Sequence, residues 1–293
     1  MTQIDTPDPI AAPRRAHGRW GRFLRNPTGM VGLVIVGTLV LTALFADIVA
    51  PFDPDAMGVG GRLKPPSLAH PFGTDEFGRD ILSRVIHGSR LTLQIGAIAV
   101  GLALTVGMAL GVIAGYAGGL LEKVLMRGVD VVFSFTETLI ALAAVAVLGP
   151  SLKNAMIAVG IATMPYYART AYSMVLVEKN KPYFEAAIAA GASTARLILR
   201  HLLPNVIPTM IVVATLGVST AVLAAAGLSF LGLGAQPPAT EWGLMLALSR
   251  DYITRAPWTM IAPGLAIAIT VLGFNLLGDG AREVFDPRQS GKK

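Results

Sequence analysis

Long apolar runs, each close to the length of a bilayer crossing, alternate with polar stretches along this chain. Six stand out, at about residues 29–50, 91–116, 124–148, 154–177, 206–231 and 258–277. A helix rises about 1.5 Å per residue, so about 20 apolar residues span a hydrocarbon core of about 30 Å. Lipid offers the backbone no hydrogen-bond partners, and a helix satisfies its own, so each run is expected to be helical. The expected fold class is all-α and integral to the membrane, with about six transmembrane helices. The third run carries charges and the fourth contains Pro165, which makes them the least regular. The second holds Ala103, Gly107, Gly111 and Gly115 at four-residue spacing, a stripe along which another helix can approach to backbone contact.

The segments between the runs divide the chain. Residues 1–28 form a polar, arginine-rich tail and 29–50 the first helix. Residues 51–90 are too long and polar for a turn and read as an extracytoplasmic segment. Residues 91–278 form a core of five helices that encloses a cytoplasmic loop at 178–204, and 279–293 form a second tail. A further connection, 232–257, contains Pro237, Pro238 and Trp242 and abuts Trp258, and its tryptophans suit an aromatic interface belt. The first apolar run exceeds the roughly 7–15 residues of a signal-peptide core, so it reads as an anchor.

Composition supports a membrane solvent. Of 293 residues 53% are hydrophobic and only 14% charged, against about 25% in soluble domains. The mean hydropathy is +0.61. There is no cysteine, hence no disulfide framework and no thiolate metal site, and His17, His70, His87 and His201 are scattered. The net charge of +6 is explained by where the bases lie. Arg14, Arg15, Arg19, Arg22 and Arg25 precede the first run; Lys179, Lys181, Arg196 and Arg200 lie in the 178–204 loop; Arg282, Arg288, Lys292 and Lys293 end the chain. In residues 51–90, five basic residues are balanced by five acidic ones. An N-in, C-in threading satisfies the positive-inside rule, with lipid as the surrounding medium and no nucleic-acid partner.

Chemistry for an autonomous pump is missing. There is no G-x-x-x-x-G-K-[ST] phosphate loop, the lone Gly-Lys pair being Gly291-Lys292, and neither H-E-x-x-H nor G-x-S-x-G occurs. Energy must come from an ion gradient or from a partner. A gradient-driven secondary transporter would show an internal repeat, and the two halves show none. The loop at 178–204 offers the other route. It runs Tyr183-Phe184-Glu185-Ala186-Ala187-Ile188-Ala189-Ala190-Gly191-Ala192-Ser193, then Arg200-His201-Leu202-Leu203-Pro204-Asn205. This predicts a short helix begun after Pro182, a flexible glycine, and a second helix stopped ahead of Pro204. Small alanines let such a helix sit tightly in a partner's groove. Glu185, near its start, suits the positive end of the dipole and is placed to cap it or bond the glycine region.

These residues resemble the EAA loop of binding-protein-dependent ABC import permeases, with His201 where the general pattern favours isoleucine. The R-H-x-L-P-N version is similar to that of the dipeptide/oligopeptide/nickel branch. His70-Pro71-Phe72-Gly73-Thr74-Asp75-Glu76-Phe77-Gly78-Arg79-Asp80 resembles an element before the second span of that branch's C-type subunit. Leu228-Ser229-Phe230-Leu231-Gly232-Leu233-Gly234, with Pro237-Pro238 and Trp242-Gly243, resembles its fifth-span exit. Phe274-Asn275-Leu276-Leu277-Gly278-Asp279-Gly280 and Asp286-Pro287-Arg288 resemble its C-terminal signature, so the likeness spans about residues 25–288. It implies a type I ABC importer permease-like bundle in the cytoplasmic membrane. The implied partners are a second homologous permease, two ATP-binding-cassette ATPases and an extracytoplasmic substrate-binding protein. The chain itself would be no enzyme and hold no cofactor, ATP and Mg being bound by the ATPases. Carried over by position, Glu185, Ala186, Ala187 and Gly191 would couple to an ATPase. The cargo implied is di- or oligopeptide, with nickel or another small cargo as the alternative.

The third run departs from the resemblance, reading Ser134-Phe135-Thr136-Glu137-Thr138 where the family has Ser-Phe-Pro. Glu137 falls about half way across the membrane, where an ionised side chain faces a cavity or a partner. It either lines the translocation path, where it meets the ammonium of a peptide, or is held neutral or bonded to a helix of the partner permease. Arg127 and Asp130, three residues apart, are expected to form a structural ion pair near the cytoplasmic interface. Asp47 is expected at the interface ending the first run.

Overall fold

The computed structural model describes residues 26–285 together with Phe23, and its described residues contain no strand. Arg14, Arg15, Arg19, Arg22, Arg25, Arg288, Lys292, Lys293 and the Asp286-Pro287-Arg288 signature lie outside the described residues. The elements are α1 (Pro27–Leu44), a short turn (Ala46–Val49), α2 (Ile81–Ala117), α3 (Gly119–Phe133), α4 (Glu137–Leu148), α5 (Leu152–Lys179), α6 (Pro182–Ala189), α7 (Thr194–Phe230), α8 (Trp242–Ser249) and α9 (Trp258–Phe285). Four of them, α1, α2, α7 and α9, are long and apolar enough to cross a bilayer, and the bent α3–α4 pair adds a fifth candidate. With the 28-residue α5, six elements traverse the bundle.

Helix starts are closed by side chains. Asn26, Asp80, Ser151 and Glu241 cap α1, α2, α5 and α8, each accepting from a backbone N–H two or three residues on. These caps satisfy orphan N–H groups that weakly polar surroundings would leave unpaired. At the far end of α2, Lys179 Nζ donates to the carbonyls of Gly115 and Tyr116, both at 3.0 Å, which closes the last turn with a cation at the negative pole.

The central seam joins α2 to α5. Ala103, Gly107, Gly111 and Gly115 are buried against it. A Cβ on Gly107 would lie 2.7 Å from the Met164 carbonyl oxygen, one on Gly111 2.8 Å from the Ala171 methyl, and one on Gly115 2.8 Å from Val175 Cγ1. As the position rises along α2, so does its contact along α5, so the two helices run in the same direction. α7 packs on both of them, and α9 packs on α1 and α7. Asn26 at the start of α1 donates to Glu283 near the end of α9. These two ends therefore meet, toward the end of the bundle that carries residues 178–204.

Three expectations are corrected. The third run is not one helix: α3 and α4 meet at 92°. Ser134 Oγ donates back to the Val131 carbonyl at 2.7 Å and Thr136 is extended (φ −66°, ψ 140°), so side-chain and backbone bonding compete with helix continuation. The 204 proline does not stop a helix either. α7 runs from Thr194 through a π-helical turn at Leu197–Leu202 and on past Pro204 and Pro208. The wider register of a π turn accommodates a residue that has no N–H and whose ring crowds the preceding turn. Finally, α2 begins about ten residues before the apolar run because Asp80 caps it there.

The seam makes a measurable prediction. Gly111→Leu should lower the stability of the purified protein by about 1–3 kcal/mol, read as a drop in thermal unfolding midpoint. Gly128→Ala in α3, where a Cβ meets nothing within 4 Å, should be neutral or slightly stabilising.

Candidate functional site

The 178–204 segment forms a protruding helix clamped at both ends. Lys181 precedes α6 and Pro182 opens it, where a missing N–H costs nothing. Phe184 is buried among Leu197, Leu202 and Val206, which pins the inner face of α6 to the start of α7. Glu178, itself buried, accepts from Lys181 Nζ and from the Tyr183 hydroxyl. Asn205 Nδ2 donates to the Tyr183 oxygen at 3.2 Å and to the His201 carbonyl at 2.7 Å. Burial, helped by the bond to Glu178, pushes the Tyr183 phenol up to about 12, so it stays a donor at physiological pH. The ends of α5, α6 and α7 are thus tied into one unit.

The spacing of the motif acquires a geometric reason. Ala192 N donates to Ala187 O at 3.1 Å and Gly191 N to Ile188 O at 2.9 Å, the paired bonds of a Schellman C-cap. That cap needs a left-handed residue, and Gly191 has φ +76°. Gly191 therefore terminates α6 at a fixed length. Glu185 lies in the first turn, exposed, and its carboxylate makes no hydrogen bond among the described residues, so the capping role expected for it is absent. Ala186 is exposed beside it, Ala187 half-buried, and Ile188 continues the outward face. Sequence reading missed Glu178, Tyr183, Phe184 and Asn205; only the aromatic pair just ahead of Glu185 hinted at an anchored face.

Glu137 stands at the first turn of α4, just past the break, rather than in mid-helix. With Thr163, Tyr166, Tyr167, Gly217 and Thr220 it lines a cavity of about 210 Å³ between α4, α5 and α7. Asp130 does not pair with Arg127. Its carboxylate accepts from Arg169 of α5, Nη2 at 2.6 Å and Nε at 3.1 Å. Asp130 turns toward α5 while Arg127 is exposed, and the Arg169 guanidinium also lies over the Phe133 ring at 4.9 Å. A tertiary partner with a planar, bidentate-capable head replaces the local one.

At the opposite end, the 70–80 element folds into a knot. Asp80 accepts from Ser83 N at 2.8 Å and Ser83 Oγ at 2.7 Å, and its other oxygen lies 2.9 Å from His70 Nδ1. Asp75 accepts from the N–H groups of Phe77 and Arg79 and from Arg79 Nε. Trp242 and Trp258, expected at an interface belt, instead donate inward: Trp242 Nε1 to Val85 O at 2.9 Å and Trp258 Nε1 to Thr74 O at 3.3 Å. Glu241 caps α8 by accepting from Gly243 N and Leu244 N, and burial pushes its carboxyl up from the usual range. Asp47, exposed, bridges Arg90 and His87 of α2.

A chain of the MetNI methionine ABC transporter, solved in inward facing conformations, superimposes with a TM-score of 0.58 over 70% of this chain and 98% of that chain, at 20% identity. The chain belongs to the family of binding-protein-dependent transport system inner membrane components, whose pattern matches residues 107–291. Residues 16–66 match the N-terminal transmembrane domain of oligopeptide transport permease C. Among similar proteins, the dipeptide transport system permease protein DppC of Alkalihalophilus pseudofirmus is 46% identical over 264 residues, 90% of this chain and 87% of that one. The di/tripeptide transport system permease protein DppC of Pseudomonas aeruginosa is 45% identical over 92% of this chain and 91% of its own. The glutathione transport system permease protein GsiD of Escherichia coli is 42% identical over 97% and 94%. The chain is thus a multi-pass membrane permease, and the ion-gradient alternative is set aside.

The two polar clusters predict different sensitivities. Asp80→Ala leaves buried donors without an acceptor and should cost about 1–3 kcal/mol in thermal unfolding. Asp130→Ala breaks a half-exposed pair and should cost under about 1 kcal/mol.

Proposed function

We propose that the chain is one of two permease subunits of an ATP-driven importer that moves short peptides across the cytoplasmic membrane. Relatives covering nearly the whole chain at 42–46% identity are named for dipeptide, di/tripeptide and glutathione transport, and this observation carries the reading. Glutathione, a tripeptide, keeps the cargo class one of short peptides. In this reading the end bearing α6 faces the cytoplasm, as the basic residues of 178–204 favour. ATP and Mg are bound by two ATPase subunits, and an extracytoplasmic binding protein delivers cargo.

The exposed face of α6 is the site at which we place energy transfer. Ala186, with no bulk beyond a methyl group, lets a groove close over the helix, and Glu185 offers an unpaired carboxylate to a basic residue. Ala187 and Gly191 fix the pitch and length of α6. The clamp from Glu178 to Tyr183 and Asn205 would then pass a push on α6 to α5 and α7 together. Those helices also border the Glu137 cavity, so α6 movement and a change of the pathway would be mechanically joined.

Reconstitution of the complete complex tests this. It should take up di- and tripeptides in an ATP-dependent manner; uptake of nickel with no peptide uptake would overturn the cargo. Gly191→Pro, which φ +76° forbids, and Glu185→Lys should leave membrane insertion intact but cut uptake about tenfold or more per ATP hydrolysed. Normal uptake in both variants would remove the coupling assignment.

A further inference from the structure

The cavity at the α3–α4 break has a lining richer in hydrogen-bond acceptors than in donors, with the Tyr166 and Tyr167 hydroxyls as its free side-chain donors among the described residues. Among the described residues Glu137 is its only charged lining residue, and no lysine, arginine or histidine borders it. Its place in the first turn of α4 sets it at a helix start whose first N–H groups have no helical partner. The two threonines have already committed their protons. Thr163 Oγ1 donates to the Val159 carbonyl and Thr220 Oγ1 to the Gly217 carbonyl, both at 2.9 Å, which leaves lone pairs for a guest. Tyr167 is 1% exposed, yet its hydroxyl makes no hydrogen bond among the described residues. It abuts Gly217, where any Cβ would collide with the phenol, so the ring is held in place at the cavity wall. Tyr166 packs edge-on against it, with centroids 5.7 Å apart, and adds a second aromatic wall.

We propose that this cavity is a subsite for a primary ammonium group, the free amino terminus of a peptide in transit. An ammonium carries three donors and no acceptor, the complement of a wall made of a carboxylate, hydroxyl lone pairs and aromatic faces. A divalent metal is a poor match: Ca2+ or Mg2+ needs six or more oxygen ligands, softer ions take imidazole or thiolate, and among the described residues the cavity is bordered by a single carboxylate and no histidine. The volume points the same way. About 210 Å³ is below the 300–1,000 Å³ that encloses a drug-sized ligand, so one end of a peptide enters while the remainder extends outside. The permease would thereby add its own selection for an unblocked amino terminus, at the break where α3 and α4 change direction. The proposal rests on the peptide reading above.

The test uses the solubilised permease–ATPase complex without its binding protein, so that only the permease can recognise the probe. Saturation-transfer NMR with Ala-Ala should give a signal that n-propylammonium displaces, and N-acetyl-Ala-Ala should give a signal about tenfold weaker. Glu137→Gln should reduce the Ala-Ala signal to the level of the acetylated peptide. Tyr167→Phe, which removes one oxygen and keeps the packing, should reduce it severalfold and stands in if the first variant does not assemble. N-acetyl-lysine amide, bearing a side-chain ammonium only, separates the sources: a signal well below that of Ala-Ala supports the amino terminus, and an equal one overturns that assignment. Equal signals for Ala-Ala and N-acetyl-Ala-Ala, no displacement by n-propylammonium, or unchanged signals in the variants would overturn the site. If wild-type vesicles still take up peptide in that case, only the subsite falls; if they take up none, the peptide reading falls and the subsite with it.

Discussion

Helices in lipid gain nothing from merely hiding apolar side chains from one another, since the acyl chains are as apolar as leucine. What holds α2 to α5 is backbone-close contact, and that contact exists only because Gly107, Gly111 and Gly115 present no side chain to the facing helix. The seam fixes the direction of α5 against α2, and with it the height at which the α6 loop leaves the bundle. It also brings the Lys179 ammonium onto the last carbonyls of α2. α7 packs on both members of the pair, and α9 and α1 then pack outside it. The remaining features are arranged around this pair.

Polar side chains are concentrated at the two ends of the bundle, where they do different work. At one end, Asp80 ties the 70–80 knot to the first turn of α2, the Trp258 indole ties the knot to the start of α9, and the Trp242 indole ties α8 to α2. Asp80 and His70 are buried there, so the loop is held by bonds that water does not weaken. At the other end, one buried carboxylate, Glu178, gathers Lys181 and Tyr183 and so locks α6 to α5. The middle of the bundle, between these two polar ends, is held mainly by the close-packed α2–α5 seam.

The break between α3 and α4 lies in that middle. It frees backbone groups, places an acidic residue at a helix start and leaves a small cavity bordered by hydroxyls and phenols. The Asp130–Arg169 bridge and the Tyr172–Glu122 bond hold α3 to α5 on one side of the break. α4 packs on α5 on the other. The 92° change of direction is therefore braced on both sides by the same helix, the one that also forms the central seam.

Much of this was legible in the order of residues alone. Apolar runs of bilayer length give helices because lipid forbids unpaired backbone, and the four-residue glycine spacing marks a close-packed face before any partner is known. The spacing from Glu185 to Gly191 encodes a helix of set length with a left-handed stop, a local matter of backbone bonding. Facing relationships were not legible. Asp130 prefers Arg169, 39 residues away, to Arg127 on its own helix, because pairing depends on which side of α3 turns to α5. Hydropathy measures length and apolarity, so it cannot register that Ser134 and Thr136 break a run that is apolar on both sides. The acceptor-lined cavity around Glu137 draws its walls from three helices. Only their packing decides that two threonines have spent their protons and that one buried phenol has not.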